Sequence, residues 1–201
     1  MSAPLPQVLL GTTSSGKIRE LREMLADLPV QVVVPADLGI NLDVEEGETS
    51  FVANAMLKAR AFRRASGVLT IAEDSGFEVD ALGGEPGVIS ARWGGTDYVV
   101  KNQLIIDRLA GLPDEQRGCR YITVLAIATL DGKVYRRTGT CTGLVARAPA
   151  GSGGFGYDPI FLVPDLGRTM AEIPQSAKAA ISHRGRAVAK AMPLLRALLG
   201  G

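Results

Sequence analysis

The chain has 201 residues, of which 46% are hydrophobic and 21% charged, a composition typical of a globular protein with one domain. Twenty-two basic and 21 acidic side chains give a net charge of +1, so no global field favours nucleic acid as a partner. No apolar run is long enough to span a bilayer, and the N-terminal residues lack the pattern of a secretory signal. We therefore expect a single domain over 1–201, in the cytoplasm, without a membrane or nucleic-acid partner.

Hydrophobic periodicity predicts alternating strands and helices in the first part of the chain. The expected elements are a strand at 8–10, a helix at 17–28, a strand at 31–34, a helix from about 50 to 65 and a strand at 68–72. Thr49 or Ser50 can cap the second of these helices. A strand, a loop, a helix and a further strand in this order are the usual opening of an α/β fold.

The second part of the chain predicts an amphipathic segment, a hairpin and a closing helix. The amphipathic segment begins at Thr96, the strands of the hairpin are at 121–129 and 133–141, and the helix is at 186–199. Pro193 is expected to kink the last helix or to restart it. The two cysteines, Cys119 and Cys141, lie far apart in apolar, strand-like segments without CxxC spacing, which argues against a zinc site or a disulfide.

The strand predicted at 68–72 runs directly into Glu73, Asp74, Ser75 and Gly76. Carboxylates at the end of a buried strand are unfavourable unless something pairs with them. Mg²⁺ is the obvious candidate, because it prefers one or two carboxylates together with substrate phosphates. Taken alone, however, the pattern is more typical of a strand end with solvated acids and a turn glycine.

The loop from Gly11 to Lys17 nearly repeats the phosphate-binding pattern GxxxxGK[ST], with a predicted strand before it and a helix after it. Ile18 stands where that pattern has the hydroxyl that binds Mg²⁺, which argues against a P-loop NTPase. A small-residue loop at a helix start still offers N–H groups and a positive dipole to an anion, and Lys17 adds charge. A plain turn rich in small residues is the alternative.

A second unusual loop, from Gly151 to Phe161, has four glycines in its first six residues. Its backbone can approach a ligand closely, and Phe155 and Tyr157 can stack on a base. The alternative is a flexible hairpin end whose aromatic side chains pack inward, as we expect for Phe161.

The only histidine, His183, cannot build a site of several histidines, and no GxSxG elbow supports a hydrolase triad. Beside Lys178 and Arg184 it is a candidate hydrogen-bond donor to a ligand. A solvated helix start is the alternative.

Five segments, in chain order, together resemble the inosine triphosphate pyrophosphatase family, also described as Ham1-like or dITP/XTP pyrophosphatases. They are Thr12-x-x-x-Gly16-Lys17, Phe51-x-x-Asn54-Ala-x-x-Lys58-Ala59, Asp74-Ser75-Gly76 through Arg92, Gly153 through Phe161, and Lys178 with Ser182-His183-Arg184. The resemblance implies an α/β fold: an elongated mixed β-sheet with flanking helices in two lobes, a nucleotide cleft between them, and usually a homodimer. It also implies Mg²⁺-dependent hydrolysis of ITP, dITP and XTP to the monophosphate and pyrophosphate.

The resemblance also implies roles for individual residues. Asp74 matches the acid that activates water and binds metal, Glu45 matches a second metal carboxylate, and Glu73 is a further acid near the metal. Glu46 or Glu48 can take the place of Glu45. The positions that match substrate contacts are Thr12, Thr13, Ser14, Ser15, Gly16, Lys17, Asn54, Lys58, Ser75, Arg92, Phe155, Gly156, Tyr157, Asp158, Lys178, His183 and Arg184.

The chemistry of these residues agrees with the implied reaction. Water attacking the α-phosphorus needs a base, a metal and cations that stabilise the leaving pyrophosphate, for which Asp74, Mg²⁺ and Lys17 are suited. Rejection of ATP needs donors aimed at the purine 6-oxo group, since a 6-amino group would leave them unpaired. Lys178, His183 and Arg184 are donors of this kind.

The segment Glu45-Glu46-Gly47-Glu48 departs from the family pattern EETG, and two single positions depart from the pattern as well. Ser14 stands where an asparagine is common, and Ala53 stands where a glutamate is common. These departures motivate one alternative, a nucleotide-binding sensor with weak catalysis. A second alternative is a Maf-like pyrophosphatase for pyrimidine or modified nucleotides, against which the segments around His183 and Phe155 argue.

Overall fold

The computed structural model describes residues 4–47 and 49–200. Its strands are β1 (Gln7–Leu10), β2 (Gln31–Val33), β3 (Leu69–Val79), β4 (Pro86–Gly87), β5 (Gly118–Ala128), β6 (Val134–Val145), β7 (Phe161–Val163) and β8 (Arg168–Thr169). The α-helices are α1 (Ser15–Met24), α2 (Phe51–Ser66), α3 (Tyr98–Arg108), α4 (Gln175–Ile181) and α5 (His183–Leu198). None of the helices in this part of the chain combines the length and apolarity needed to cross a membrane.

The strands form one eight-stranded mixed sheet in the order β2-β1-β3-β5-β6-β7-β8, with β4 paired to β3. β1 is parallel to both of its neighbours, with Val8 opposite Val32 on one side and opposite Leu69 on the other. β7 is antiparallel to β6 and to β8. The predicted mixed α/β fold with flanking helices is therefore confirmed.

The chain forms two compact units, neither of which is a continuous stretch of sequence. The first unit comprises the described residues of Met1–Asp74, Thr123–Gly139 and Arg184–Gly201, and the second comprises Ser75–Ile122 and Thr140–His183. In the first unit, Leu10 and Ile71 pack with apolar residues of α1 and α5. In the second, an aromatic core that includes Phe77, Tyr121 and Phe161 is buried.

The strand predicted at 68–72 is much longer than expected. β3 continues through Glu73, Asp74 and Ser75 to Val79, and the side chains of Glu73 and Asp74 are buried. The alternative interpretation of this segment, a strand end with solvated acids, is therefore wrong. The strand continues because Phe77 and Val79 extend the apolar pattern beyond the acids and lie fully buried in the second core.

Other boundaries differ modestly from the predicted ones. α1 ends at Met24, four residues early, although Leu25 and Leu28 remain buried in the turns that follow. Ser50 caps α2 as predicted, since its Oγ accepts the Ala53 N–H at 3.1 Å. α5 is one helix that contains Pro193, so of the two predicted outcomes, a kink or a restart, the restart does not occur.

Candidate functional site

The loop after β1 is shaped by close packing and by the start of α1. A Cβ on Gly11 would lie 2.9 Å from Cδ2 of Phe62, so only glycine fits there without displacement. The Gly11 N–H donates to the Ile71 carbonyl at 2.8 Å, which ties the loop to β3. Ser14 is the N-cap of α1, and its side chain makes no capping hydrogen bond. The amides of the first turn thus have no intrahelical acceptor and are oriented to receive an anion.

A buried ion-pair network lies directly beside this helix start. The guanidinium of Arg184 donates to both carboxylate oxygens of Glu73, with Nε at 2.9 Å and Nη2 at 2.7 Å, and its Nη1 donates to Glu20. Lys17 Nζ lies 3.4 Å from Glu73. Burial lowers the pKa of Lys17, and Glu73 partly offsets this effect. Burial also disfavours the charge of Arg184, but Glu73 and Glu20 outweigh it and raise the pKa.

This network bears on the predicted roles of two residues. Glu73, with 1% exposure, is enclosed by cations, an arrangement that favours a role in ion pairing over the predicted role as a metal ligand. Arg184 is held by the two glutamates, and its predicted contact with a purine stays a prediction. Sequence reasoning missed Glu20, although it follows Lys17 by three residues and so shares its helix face.

Asp74 lies in a separate polar cluster of the same unit. Its carboxylate accepts a hydrogen bond from Asn54 Nδ2 at 3.0 Å and lies 3.4 Å from Lys58 Nζ. Burial raises the pKa of Asp74 above its ordinary value, with Lys58 and Asn54 opposing and Glu46 adding to the rise. The carboxyl group that the sequence assigns to catalysis is thus held by two neighbours and shielded from solvent.

The same cluster selects among the acids of the 45–48 segment. Lys58 Nζ donates to Glu46 at 2.8 Å, so Glu46 shares a cation with Asp74. The predicted metal ligand Glu45 is exposed and makes no such contact, and Glu48 lies outside the described residues. Asn54 fixes the segment, because its amide exchanges two hydrogen bonds with the backbone of Gly47, both 2.9 Å long. The structure therefore favours Glu46 as the second carboxylate.

In the second unit, Asp158 is the centre of a buried polar cluster. Its carboxylate accepts hydrogen bonds from Lys178 Nζ at 2.5 Å, the Phe155 N–H at 2.8 Å and the Tyr121 hydroxyl at 3.2 Å. Burial, together with Asp158, raises the pKa of Tyr121. Gly154 completes the loop with a φ of +68°, and a Cβ there would collide with Asp158 Oδ2. Both the conformation and the space require glycine at this position.

The aromatic rings of this unit differ in how deeply they are buried. The His183 ring is buried and stacks on Tyr121 with centroids 4.6 Å apart, so the alternative of a solvated helix start is wrong. Phe155 is half-buried, with Lys178 Nζ 5.3 Å from the centroid of its ring. Tyr157 is buried and stacks on Phe77, and its hydroxyl donates to the Ser90 carbonyl. Its ring therefore does not offer the stacking face that the sequence suggested.

The remaining predicted residues lie in less enclosed surroundings. Thr13 and Ser15 are exposed at the start of α1, and Ser75 is half-buried in β3. Arg92 is exposed on the turn that follows β4. No set of three or more Asp, Glu, His or Cys side chains is arranged to hold a metal within residues 4–47 and 49–200. In the first unit, the carboxylates of Glu46 and Asp74 both contact the ammonium of Lys58.

These features define an α/β protein with buried, paired charges beside a helix start whose first-turn amides are suited to an anion. The Ham1 family profile matches residues 8–194, and the chain belongs to this family.

Similar proteins match over nearly the whole chain. A dITP/XTP pyrophosphatase of Thermus thermophilus is 46% identical over 195 residues, which cover 96% of this chain and 90% of that protein. The dITP/XTP pyrophosphatase of Escherichia coli O157:H7 is 42% identical, with 96% and 99% covered. Among solved structures, a HAM1 protein from Coxiella burnetii superposes with a TM-score of 0.85 at 34% identity, with 96% of this chain and 100% of that one covered. The Ham1 protein of Staphylococcus aureus gives a TM-score of 0.83 at 33% identity, with 95% and 98% covered.

Proposed function

We propose that the chain is a nucleoside triphosphate pyrophosphatase. It hydrolyses dITP, ITP, XTP and dXTP to the monophosphate and pyrophosphate and so removes deaminated purines from the nucleotide pool. The observation that carries this proposal is the buried carboxylate of Asp74, held by Asn54 and Lys58 in the unit that also has the anion-binding helix start. The names of the relatives support the choice of substrate class.

The start of α1 is assigned to the triphosphate. First-turn amides, the hydroxyls of Thr12 to Ser15 and the ammonium of Lys17 are all donors, which is the set that phosphate oxygens require. The ammonium of Lys17 is partly exposed and lies 3.4 Å from the carboxylate of Glu73. Asn54, Lys58, Ser75 and Arg92 are assigned to the substrate on the family resemblance.

Asp74 is assigned as the base. A water molecule that attacks the α-phosphorus loses a proton, and the Asp74 carboxylate accepts it as the bond to the leaving pyrophosphate breaks. The raised pKa of Asp74 suits this role, because a stronger base takes the proton more readily at neutral pH. Asn54 and Lys58 hold the carboxylate in place.

Mg²⁺ is the proposed cofactor, with Asp74 and Glu46 as its protein ligands. This donor set fits Mg²⁺, because both carboxylates already approach one cation, the Lys58 ammonium. In proteins Mg²⁺ is usually bound by one or two carboxylates together with the phosphates of the substrate. When bound, the ion neutralises the charge on the phosphates. Lys58 lies close enough to Glu46 to hold it ready for this role.

Recognition of the purine is assigned to residues of the second unit. Phe155, Gly156 and Asp158 form the loop proposed for the base and sugar, and Lys178 and His183 are the proposed donors to the 6-oxo group. Adenine would leave such donors unpaired, which disfavours ATP. We propose a homodimer on the family resemblance alone, and a single domain in the cytoplasm on the length and composition of the chain.

Release of pyrophosphate in the presence of Mg²⁺ tests the proposal, with dITP, XTP, dGTP, dATP, UTP and dTTP compared. We expect kcat/KM for dITP and XTP to exceed that for dATP by at least about 100-fold. Nucleotide binding without turnover would instead support the sensor that Ala53 and Ser14 suggest. Faster turnover of UTP or dTTP would support the Maf-like alternative.

A further inference from the structure

Helix α3 buries a lysine, Lys101, whose ammonium contacts carbonyl groups and an aromatic ring. Lys101 has 0% exposure, and in the described part of the chain no carboxylate pairs with it. Its ammonium instead donates to the carbonyl oxygens of Ala91 at 2.6 Å and Ser90 at 3.3 Å. It also lies 4.2 Å from the centroid of the Tyr98 ring. Carbonyl dipoles and an aromatic face thus take the place of an ion pair.

Folding stability alone does not account for this lysine. Burying an ammonium group without a carboxylate is unfavourable, and an apolar side chain of similar shape would fill the same space more cheaply. What the charge does provide is a firm hold on two successive carbonyl groups. The residue that follows them is Arg92, an exposed arginine that we assign to the nucleotide.

The turn that Lys101 holds is fixed from other directions as well. The Ser90 carbonyl accepts a second hydrogen bond from the Tyr157 hydroxyl at 2.8 Å. Ser90 Oγ accepts the Phe77 N–H at 2.9 Å and donates to the Gly87 carbonyl at 2.5 Å. Helix α3 and the glycine-rich loop therefore bind the backbone immediately before Arg92, and strand β3 binds the side chain of Ser90.

The next residue of α3 holds a second loop. Asn102 is buried, and its Nδ2 donates to the Gly156 carbonyl at 3.2 Å. Gly156 follows Phe155, the half-buried aromatic residue proposed for the base. Two consecutive residues of one helix thus fix the backbone of two segments that the proposed function assigns to the substrate.

We propose that Lys101 and Asn102 are positioning residues of the hydrolysis reaction. Lys101 fixes the backbone immediately before Arg92, which the proposed function assigns to the phosphates, and Asn102 fixes the backbone immediately after Phe155, which it assigns to the base. The inference rests on the proposed function, which assigns Arg92 and Phe155 to the nucleotide. Neither Lys101 nor Asn102 touches the substrate.

Lys101→Met tests the first half of the inference, because methionine keeps the length of the side chain and removes its donors. We expect kcat/KM for dITP to fall at least tenfold, while Tm stays within about 4 °C of the wild type because loss of the unpaired charge offsets the lost hydrogen bonds. Lys133→Met, at a lysine with 68% side-chain exposure, is the matched control and should change neither value. Wild-type kcat/KM in Lys101→Met, or a loss explained by a collapsed Tm, would overturn the inference.

A double-mutant cycle with Arg92→Ala tests whether Lys101 affects the reaction through Arg92. If Lys101 acts through Arg92, adding Lys101→Met to Arg92→Ala should lower kcat/KM by less than about twofold. Fully additive losses would contradict a route through Arg92. Wild-type activity of Arg92→Ala would overturn both the assignment of Arg92 to the nucleotide and the inference that Lys101 acts through Arg92. Absence of turnover by the wild type would overturn the proposed function, whereas equal turnover by wild type and Lys101→Met overturns only this inference.

Inorganic tripolyphosphate, which has no base, separates the two positioning residues. Lys101→Met should raise its inhibition constant about tenfold, whereas Asn102→Ala should leave it unchanged and raise KM for dITP by a similar factor. Gln103→Ala is the control for Asn102, since Gln103 is the next residue of α3 and is exposed. Equal effects of both variants on tripolyphosphate and dITP would indicate general loosening of the fold and would refute the separate roles.

Discussion

The carboxylate of Asp74 lies 3.4 Å from the ammonium of Lys58, in the middle of β3 and with only 5% exposure. Burial raises its pKa in spite of that cation. Ionised Asp74 is therefore unfavourable for folding, while the proposed reaction needs it as a base. Function and stability oppose each other at this residue.

Asp74→Asn should abolish turnover while leaving nucleotide binding largely intact. Asparagine keeps the shape and can still accept the hydrogen bond from Asn54, but it cannot take a proton. We expect kcat to fall by about 10²–10⁴-fold, measured as pyrophosphate release, with the Kd for dITP changed little. Asp165→Asn, at an exposed acid, is the control. Wild-type activity of Asp74→Asn would refute the assigned role.

The stability of the same variant should depend on pH with a definite sign. Because the folded-state pKa of Asp74 is raised, its contribution to stability is present below the ordinary Asp pKa and is lost as pH rises through the folded-state value. Tm of the wild type relative to Asp74→Asn should therefore decrease between about pH 4 and pH 8. Thermal unfolding at several pH values checks this. If the Tm of the wild type minus the Tm of Asp74→Asn stays constant or grows as the pH rises, the expected sign is contradicted.

Arg184→Met should destabilise the fold strongly. It leaves Glu73 and Glu20 buried without the guanidinium that both of them contact. Removing one partner of a buried ion pair typically costs about 3–5 kcal/mol, which urea denaturation can measure. Arg168→Met changes an exposed arginine and should have little effect. A loss below about 1 kcal/mol for Arg184→Met would show that the buried network contributes little.

Ala53→Glu should stabilise α2. Ser50 already accepts the N–H of Ala53, and a glutamate at this third helical position would complete a capping box and place a negative charge near the helix N-terminus. We expect a gain of about 0.5–1 kcal/mol in the free energy of unfolding. Ala53→Gln separates the capping contribution from the charge. If the glutamate also supports the metal, the Mg²⁺ concentration for half-maximal activity should fall for Ala53→Glu alone.

Gly154→Ala should damage the Asp158 cluster. The new Cβ would meet Asp158 Oδ2, and the positive φ adds backbone strain. Gly167→Ala is a matched control, because Gly167 has a similar φ of +59° with nothing within 4 Å of its Cβ position. The control should lose only the strain energy, about 1 kcal/mol, and Gly154→Ala distinctly more, with a fall in kcat/KM for dITP. Equal losses for the two variants would mean that the loop absorbs the added carbon.

Local patterns in the sequence were sufficient for the order of the elements and for the segments that make up the candidate site. Apolar spacing predicted β1, α1 and α2, and the turn at Asp131-Gly132 predicted the strands on either side of it. The glycine-rich loops and the carboxylate pair were visible in the same way. These elements and loops are determined by residues a few positions apart, so they can be predicted from the sequence without knowledge of the tertiary structure.

The partners of the buried charges were decided only by the tertiary structure. Arg184 pairs with Glu73, which is 111 positions away in the sequence, and with Glu20, which is 164 positions away. A local sequence pattern cannot predict contacts between residues so far apart in the chain. For the same reason the sequence alone did not favour Glu46 over Glu45 or reveal the contacts of Lys101 with the carbonyl groups of Ser90 and Ala91. The sequence by itself determined which segments carry charge. Long-range packing decided which charges meet, because burial makes each of them depend on a partner that only the folded chain brings close.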